Sequence, residues 1–248
     1  MKKFSPIYFS LLLFFVAACH PAKVEGPTTK PVDFTETSYD FLGTFDDNGR
    51  PNYLVTPRDA ISQNLLSFIN TTIPDGSDVR KKNPELLKNK TIDLAITQSS
   101  DVYITYVAQG TQTTDAIAYY TYPTATPPQS PKDVKKITYI FPNAGLGTTL
   151  VAGDKVKIGR FDAGTSVGFV LIHEAWNRNT KSLNNSAVHF SSTDILNPEV
   201  DVNLKKHVVF INYTPENKVL IGFEDTDRTS AICDHDFQDV VIYATVVQ

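Results

Sequence analysis

An all-β fold, a β-sandwich of jelly-roll type with one N-terminal helix, follows from three observations in this 248-residue chain. Short runs rich in β-branched and aromatic residues recur from Ile92 to Val247; such residues suit a pleated, half-buried surface. Proline and glycine clusters, as at Pro123 to Pro131 and Pro142 to Gly147, separate these runs. Only one segment, near residues 57–70, carries helical periodicity, and many strands with few helices pack as two layered sheets.

The chain opens with Met1-Lys2-Lys3 and an apolar run from Ile7 to Ala18. A basic start and an h-region too short to span a bilayer comfortably predict a secretory signal over residues 1–18. The run ends in Val16-Ala17-Ala18-Cys19, which resembles the bacterial lipobox, with Val16 where leucine is commonest. That resemblance implies lipidation of Cys19 and a membrane partnership through the lipid. His20 is not the aspartate associated with inner-membrane retention, so the outer membrane is the expected location, with the face left open. Residues 19–37 hold Pro21, Gly26, Pro27 and Pro31 and read as an extended tether. Residues 38–248 are expected to form a single β-sandwich domain.

Within that domain, Thr56 can cap a helix whose first position is Pro57, with Asp59 in the first turn. Ile61, Leu65, Leu66, Phe68 and Ile69 give it one apolar face, and Pro74-Asp75-Gly76 ends it. A further helical turn fits Pro84-Glu85-Leu86-Leu87. Strands are expected at Ile92–Ile96, Val102–Val107, Ala118–Tyr122, Ile137–Phe141, Lys155–Phe161, Val167–Trp176, His207–Tyr213, Lys218–Phe223 and Asp239–Val247.

A net charge of −4 gives no basic footprint for nucleic acid. Cys233 is the only other cysteine, so lipidation of Cys19 leaves no intrachain disulfide. Acidic neighbours raise a thiol pKa, which gives Cys233 a packing role rather than a reactive one.

The segment from Glu224 to Asp239 carries the chemistry. It holds six carboxylates between two apolar runs, with Arg228 and His235 as the only positive partners within it. Crowded like charges at the edge of a core either stay solvated or hold a cation, and dense hard oxygens suit calcium better than zinc or copper. Asp225 and Asp227 lie two apart, as do Asp234 and Asp236, with Asp239 three later. In an extended segment each pair would present two oxygens on one face. The spacing is not that of an EF-hand.

Other motifs give bland readings. Gly164-Thr165-Ser166-Val167-Gly168 has the pattern of a nucleophile elbow, but a strand-like run follows where that motif needs a helix. His173-Glu174 starts like a zinc-protease motif, but position 177 is Asn177. His189, His207 and His235 have no ligand spacing and are expected to be structural. Tyr119, Tyr120 and Tyr122 are first a strand signal and only then a sugar-binding surface.

Gly222-Phe223-Glu224-Asp225, Arg228 and Cys233-Asp234-His235-Asp236-Phe237-Gln238-Asp239, followed by an apolar strand, resemble the C-terminal signature of the LruC-type domain. That secreted bacterial family is related to domain of unknown function 4114. Ala118 to Tyr122, Phe141 to Ala144, Ala163 to Phe169, Leu196 to Pro198 and His207 to Val209 add to the resemblance, which extends over about residues 40–248. Gln238 stands where asparagine is usual, and Asp115 to Ala118 replaces an Asn-x-Leu-Gly-like segment. The resemblance implies that Glu224, Asp225, Asp234, Asp236 and Asp239 are the signature acids, and these are the expected calcium ligands. The expected function is a lipid-anchored, non-enzymatic envelope module that binds a polysaccharide or a surface protein. The alternative is a glycan hydrolase that uses two of the same acids as general acid and base.

Overall fold

The computed structural model describes residues 34–88 and 93–248. The expected signal, Cys19 and most of the tether lie outside the described residues. Thirteen strands occur among those described: β1 (Ser38–Phe41), β2 (Leu94–Ile96), β3 (Ser100–Gln109), β4 (Ala116–Pro123), β5 (Lys136–Phe141), β6 (Lys155–Phe161), β7 (Thr165–Ile172), β8 (Trp176–Asn177), β9 (Ser182–Leu183), β10 (His189–Ser191), β11 (Val208–Tyr213), β12 (Lys218–Phe223) and β13 (Val240–Val247). One sheet runs β1-β5-β4-β7-β10, with β2 also on β7. The other runs β11-β12-β13-β3-β6, and β8 and β9 form a separate two-stranded ribbon. The pairs are antiparallel except β1 with β5, a parallel edge pair.

Period-two alternation builds the core. Val102, Ile104 and Tyr106 of β3, Ile117 and Tyr119 of β4, Val167, Phe169 and Leu171 of β7, and Val240, Ile242 and Ala244 of β13 meet in one cluster between the sheets. Alternate residues face outward and are covered as well. Val107, Leu220, Val241 and Tyr243 lie under Leu65, Ile69 and Ile73 of the helical segment. On the opposite side Ala118, Tyr120, Tyr139 and Ile172 lie under Phe34, Ala175 and Leu196. The all-β sandwich expected from the sequence is therefore the fold observed.

The helix boundary differs from expectation. Helix α1 spans Gln63–Thr72 and is capped by Ser62, whose hydroxyl accepts from the Leu65 amide at 3.0 Å. Residues 55–59 are held instead by tertiary bonds. Val55 N donates to Lys155 O at 2.7 Å and Asp59 N to Gly153 O at 2.9 Å. The Asp59 carboxylate accepts from Thr105 and Tyr243 hydroxyls, each at 2.8 Å. These bonds outcompete the local helix-start signals at Thr56 and Pro57. Two short helices follow, α2 (Val79–Lys82) and α3 (Glu85–Lys88). The strand expected to run from Val167 to Trp176 ends at Ile172, where Glu174 turns into left-handed backbone at φ +50°.

Strand direction places the site. β3, β7 and β12 end at one edge of the sandwich, and β4, β11 and β13 begin there. The β12–β13 connection, residues 224–239, therefore meets the 110–115 connection, His173 and the 194–207 loop. Connections this long without secondary structure are usually functional.

Candidate functional site

The 224–239 connection is folded into the sandwich edge rather than left in solvent. Glu224 is 1 % exposed, Asp225 4 % and Asp236 2 %. Glu224 N donates to His207 O at 2.9 Å, which extends the β11–β12 ladder by one bond and sets the carboxylate inward. Glu224 Oε1 receives a long bond from Thr226 N at 3.3 Å, while Oε2 is buried and has no hydrogen-bond partner.

Asp225 and Asp239 are joined across the base of the loop: Asp225 N donates to Asp239 Oδ2 at 2.8 Å. Asp225 also accepts from the hydroxyls of Thr111, Thr113 and Thr226. Burial pushes its carboxyl up, but these hydroxyls and a hydrogen bond shared with Asp115 outweigh that and hold it below the ordinary aspartate value. Asp239 has no such support. Burial first, then repulsion from Asp225 and Glu224, pushes it up to about 10.

Asp236 bridges two segments. Its Oδ2 accepts from Gly76 N at 2.7 Å and its Oδ1 from Gln238 N at 2.6 Å. Burial nevertheless raises its pKa to about 6. The same loop holds the helical segment through Val79 N to His235 O at 3.0 Å and Gln238 Nε2 to Ile73 O at 2.6 Å. Asp234 is exposed at the rim.

The extended reading of Asp234 to Asp236 is corrected. His235 and Phe237 both adopt φ +60°, so backbone left-handed at alternate positions, not a strand, carries these acids. For a bulky residue such as Phe237 that conformation is strained. It is held by burial of the ring beneath the Arg228 guanidinium, 5.1 Å away. Gly222 is required opposite, because a Cβ there would lie 2.5 Å from Phe237 O. The pairing of Asp225 with Asp227 is also corrected. Asp227 turns away and caps the following turn by accepting from Thr229 N at 2.8 Å.

The five expected ligands do not form one shell. One oxygen each from Glu224, Asp225 and Asp239 lies within 4.8 Å of the others, and the same holds for Glu224, Asp234 and Asp236. Glu224 belongs to both groups. Burial, then repulsion from Asp234, pushes it up to about 7. Arg228 is the buried cation nearby, but its Nε donates to His235 Nδ1 at 3.2 Å and its Nη1 to Lys206 O at 2.8 Å. Its hydrogen bonds therefore go to the loop frame rather than to the acids. Cys233 is buried beside His235, and its thiol is raised by burial first and by Glu224 second, in keeping with a packing role.

Sequence reasoning noted His173 only as the start of an incomplete zinc-protease-like motif and Asp115 only as a departure from the family pattern, and it missed Thr111 and Thr113. Asp115 is fully buried; its Oδ1 accepts from Glu174 N at 2.9 Å and its Oδ2 from Thr113 Oγ1 at 2.7 Å. What joins the four residues is their place at strand ends, which has no meaning until the strand order is known. The remaining histidines have structural partners. His207 bonds Glu199 at 2.7 Å and stacks on Phe190, and His189 bonds Tyr39 at 2.8 Å. Tyr119 and Tyr120 are buried with bonded hydroxyls. Ser166 is fully buried in β7, so the elbow-like motif presents no accessible nucleophile.

Residues 161–246 match the family described as Domain of unknown function (DUF4114). The matched segment contains the five signature acids and His173 but neither Asp115 nor the two threonines. No curated protein and no solved structure matches the chain.

Proposed function

We infer that this chain, whose residues 161–246 carry the domain of unknown function 4114, is a lipid-anchored binding module of the bacterial envelope whose β12–β13 loop is fixed by calcium. The observation that carries the reading is Glu224 Oε2, a buried carboxylate oxygen with no partner, set between two groups of acids. An unpaired buried charge is costly. Glu224, Asp236 and Asp239 are all raised toward the neutral form in the ion-free arrangement. A divalent cation returns them to the charged form and supplies the missing partner. Oxygen donors with water completing the shell suit calcium.

Burial weighs against the hydrolase reading. A general acid must reach the glycosidic oxygen, and Glu224, Asp225 and Asp236 are sealed from solvent, which leaves of the five only the exposed Asp234 and the part-exposed Asp239 within reach. A fixed loop at the sandwich edge suits recognition of an extended ligand, and the polysaccharide or surface-protein partner belongs to this reading. The lipid anchor rests on the sequence ending at Cys19.

Thermal melting with and without calcium tests the ion. A ligand specific to the native state stabilises by about 2.7 kcal/mol at a hundredfold excess over Kd, which is roughly 5–10 °C for a domain of this size. Millimolar calcium should raise Tm by that order, chelator should reverse it, and magnesium should substitute poorly. Asp236→Ala should remove more of the calcium increment than Asp227→Ala, because Asp227 joins neither group. A melting curve indifferent to calcium and chelator would exclude the reading.

A further inference from the structure

A second cluster lies against the first but has different chemistry. Asp115 precedes β4, His173 follows β7 and Asp225 follows β12, so three separate segments converge. One ligand atom from each lies within 4.8 Å of the others. Asp115 is sealed from solvent, whereas the His173 side chain keeps 26 % exposure and leaves an approach from outside. His173 Nδ1 is itself buried and lies 3.4 Å from Asp115 Oδ1, an ion-pair contact without hydrogen-bond geometry.

The oxygens of the cluster are also crowded. Thr111 and Thr113 bring two hydroxyl protons to four oxygen–oxygen contacts: Thr111 with Asp225, Thr113 with Asp225, Thr113 with Asp115, and Thr111 with Thr113. A divalent ion would take one oxygen from each carboxylate and the His173 nitrogen, in place of the contact between His173 and Asp115.

We propose that Asp115, His173 and Asp225 form a site for a first-row divalent transition-metal ion, of which Zn²⁺ is the working example. An imidazole nitrogen with two carboxylates suits such ions, and calcium prefers oxygen alone. Three protein ligands leave at least one coordination position, on the side open past His173, for water or an oxygen of a bound molecule. Glu224, Asp234, Asp236 and Asp239 take no part; Asp225 belongs to both groups, so Asp115 and His173 are the ligands that set this site apart from the calcium reading. The other nitrogen-containing group, Glu224 with Cys233 and His235, is a poorer candidate because Arg228 donates to His235 Nδ1.

The test is Co²⁺ titration of the chelator-treated chain, followed by its visible absorption band and by Zn²⁺ competition. One Co²⁺ per chain is expected, displaced by Zn²⁺. His173→Gln and Asp115→Asn should each weaken binding at least ~10-fold to 100-fold, on the scale of losses at supporting positions of metal sites. Cys233→Ser should change nothing. The calcium-dependent rise in Tm should persist in His173→Gln, so failure of one metal reading is separable from failure of the other. In the wild-type chain, Zn²⁺ should shift the ring resonances of one histidine and leave those of His189 and His207 in place, a readout independent of whether the variants fold. No Co²⁺ band in the wild type, an unchanged band in His173→Gln, or no histidine shift with Zn²⁺ would overturn the proposal.

Discussion

Glu224 and His189 show two ways in which burial acts on a titratable side chain. Glu224 is sealed with one oxygen unpaired, so its charged form is poorly supported, which is the basis of the proposed cation. His189 is sealed with both nitrogens bonded, to Tyr39 and to Ala187 O, so its neutral form is supported and needs no ion. Burial lowers its pKa from 6.5 to about 4. Between those values the unfolded imidazole binds a proton that the folded one refuses, so stability present above pH 6.5 is lost as pH falls toward 4. At 1.36 kcal/mol per unit the effect is at most about 3 kcal/mol. His189→Gln keeps a polar partner for Tyr39 and removes the titration. Its Tm should therefore fall several degrees less than wild type between pH 7 and pH 4.5. Equal falls in the two proteins would show that His189 is not the group responsible.

Among the elements, α1 connects packing to the site. Its apolar face covers the outer surface of β11, β12 and β13 through Leu65, Ile69 and Ile73, and its end is tied to the acidic loop by Gln238 and Asp236. Leu65 is fully buried, so Leu65→Ala should cost about 2–5 kcal/mol in denaturant unfolding. Ser62→Ala should cost about 1 kcal/mol through loss of the cap. A Leu65→Ala loss below about 1 kcal/mol would mean that the helix is not part of the cooperative fold. The apolar face of α1 was legible because Leu65 and Ile69 fall on a 3.6-residue period. Its start was not, because Asp59 is committed to Lys155, Thr105 and Tyr243, partners far away in sequence. The strands were legible as runs of β-branched and aromatic residues, as in β3 and β13. The short strand β10 was missed because His189, Phe190 and Ser191 are too few to form a run and include no β-branched residue.

The whole molecule is a sandwich whose loops at one edge converge on carboxylates. The acids from Glu224 to Asp239 were legible because they are contiguous. Asp115 and His173 were not, since antiparallel strand order brings them in from 110 and 52 residues away from Asp225. The proposed lipid anchor is tested on the intact chain. Cys19→Ala should release an unlipidated soluble form or block processing, and unchanged membrane fractionation with no acyl group on Cys19 by mass spectrometry would exclude a lipid anchor. The central claim is that Glu224 is the shared ligand of a calcium-organised loop, and calorimetric titration of the chelator-treated chain with calcium tests it most directly. Saturable binding in the wild type, lost or weakened at least tenfold in Glu224→Gln while the far-ultraviolet circular dichroism is unchanged, is the predicted result. No heat of binding in the wild type, or equal affinity in Glu224→Gln, would contradict it.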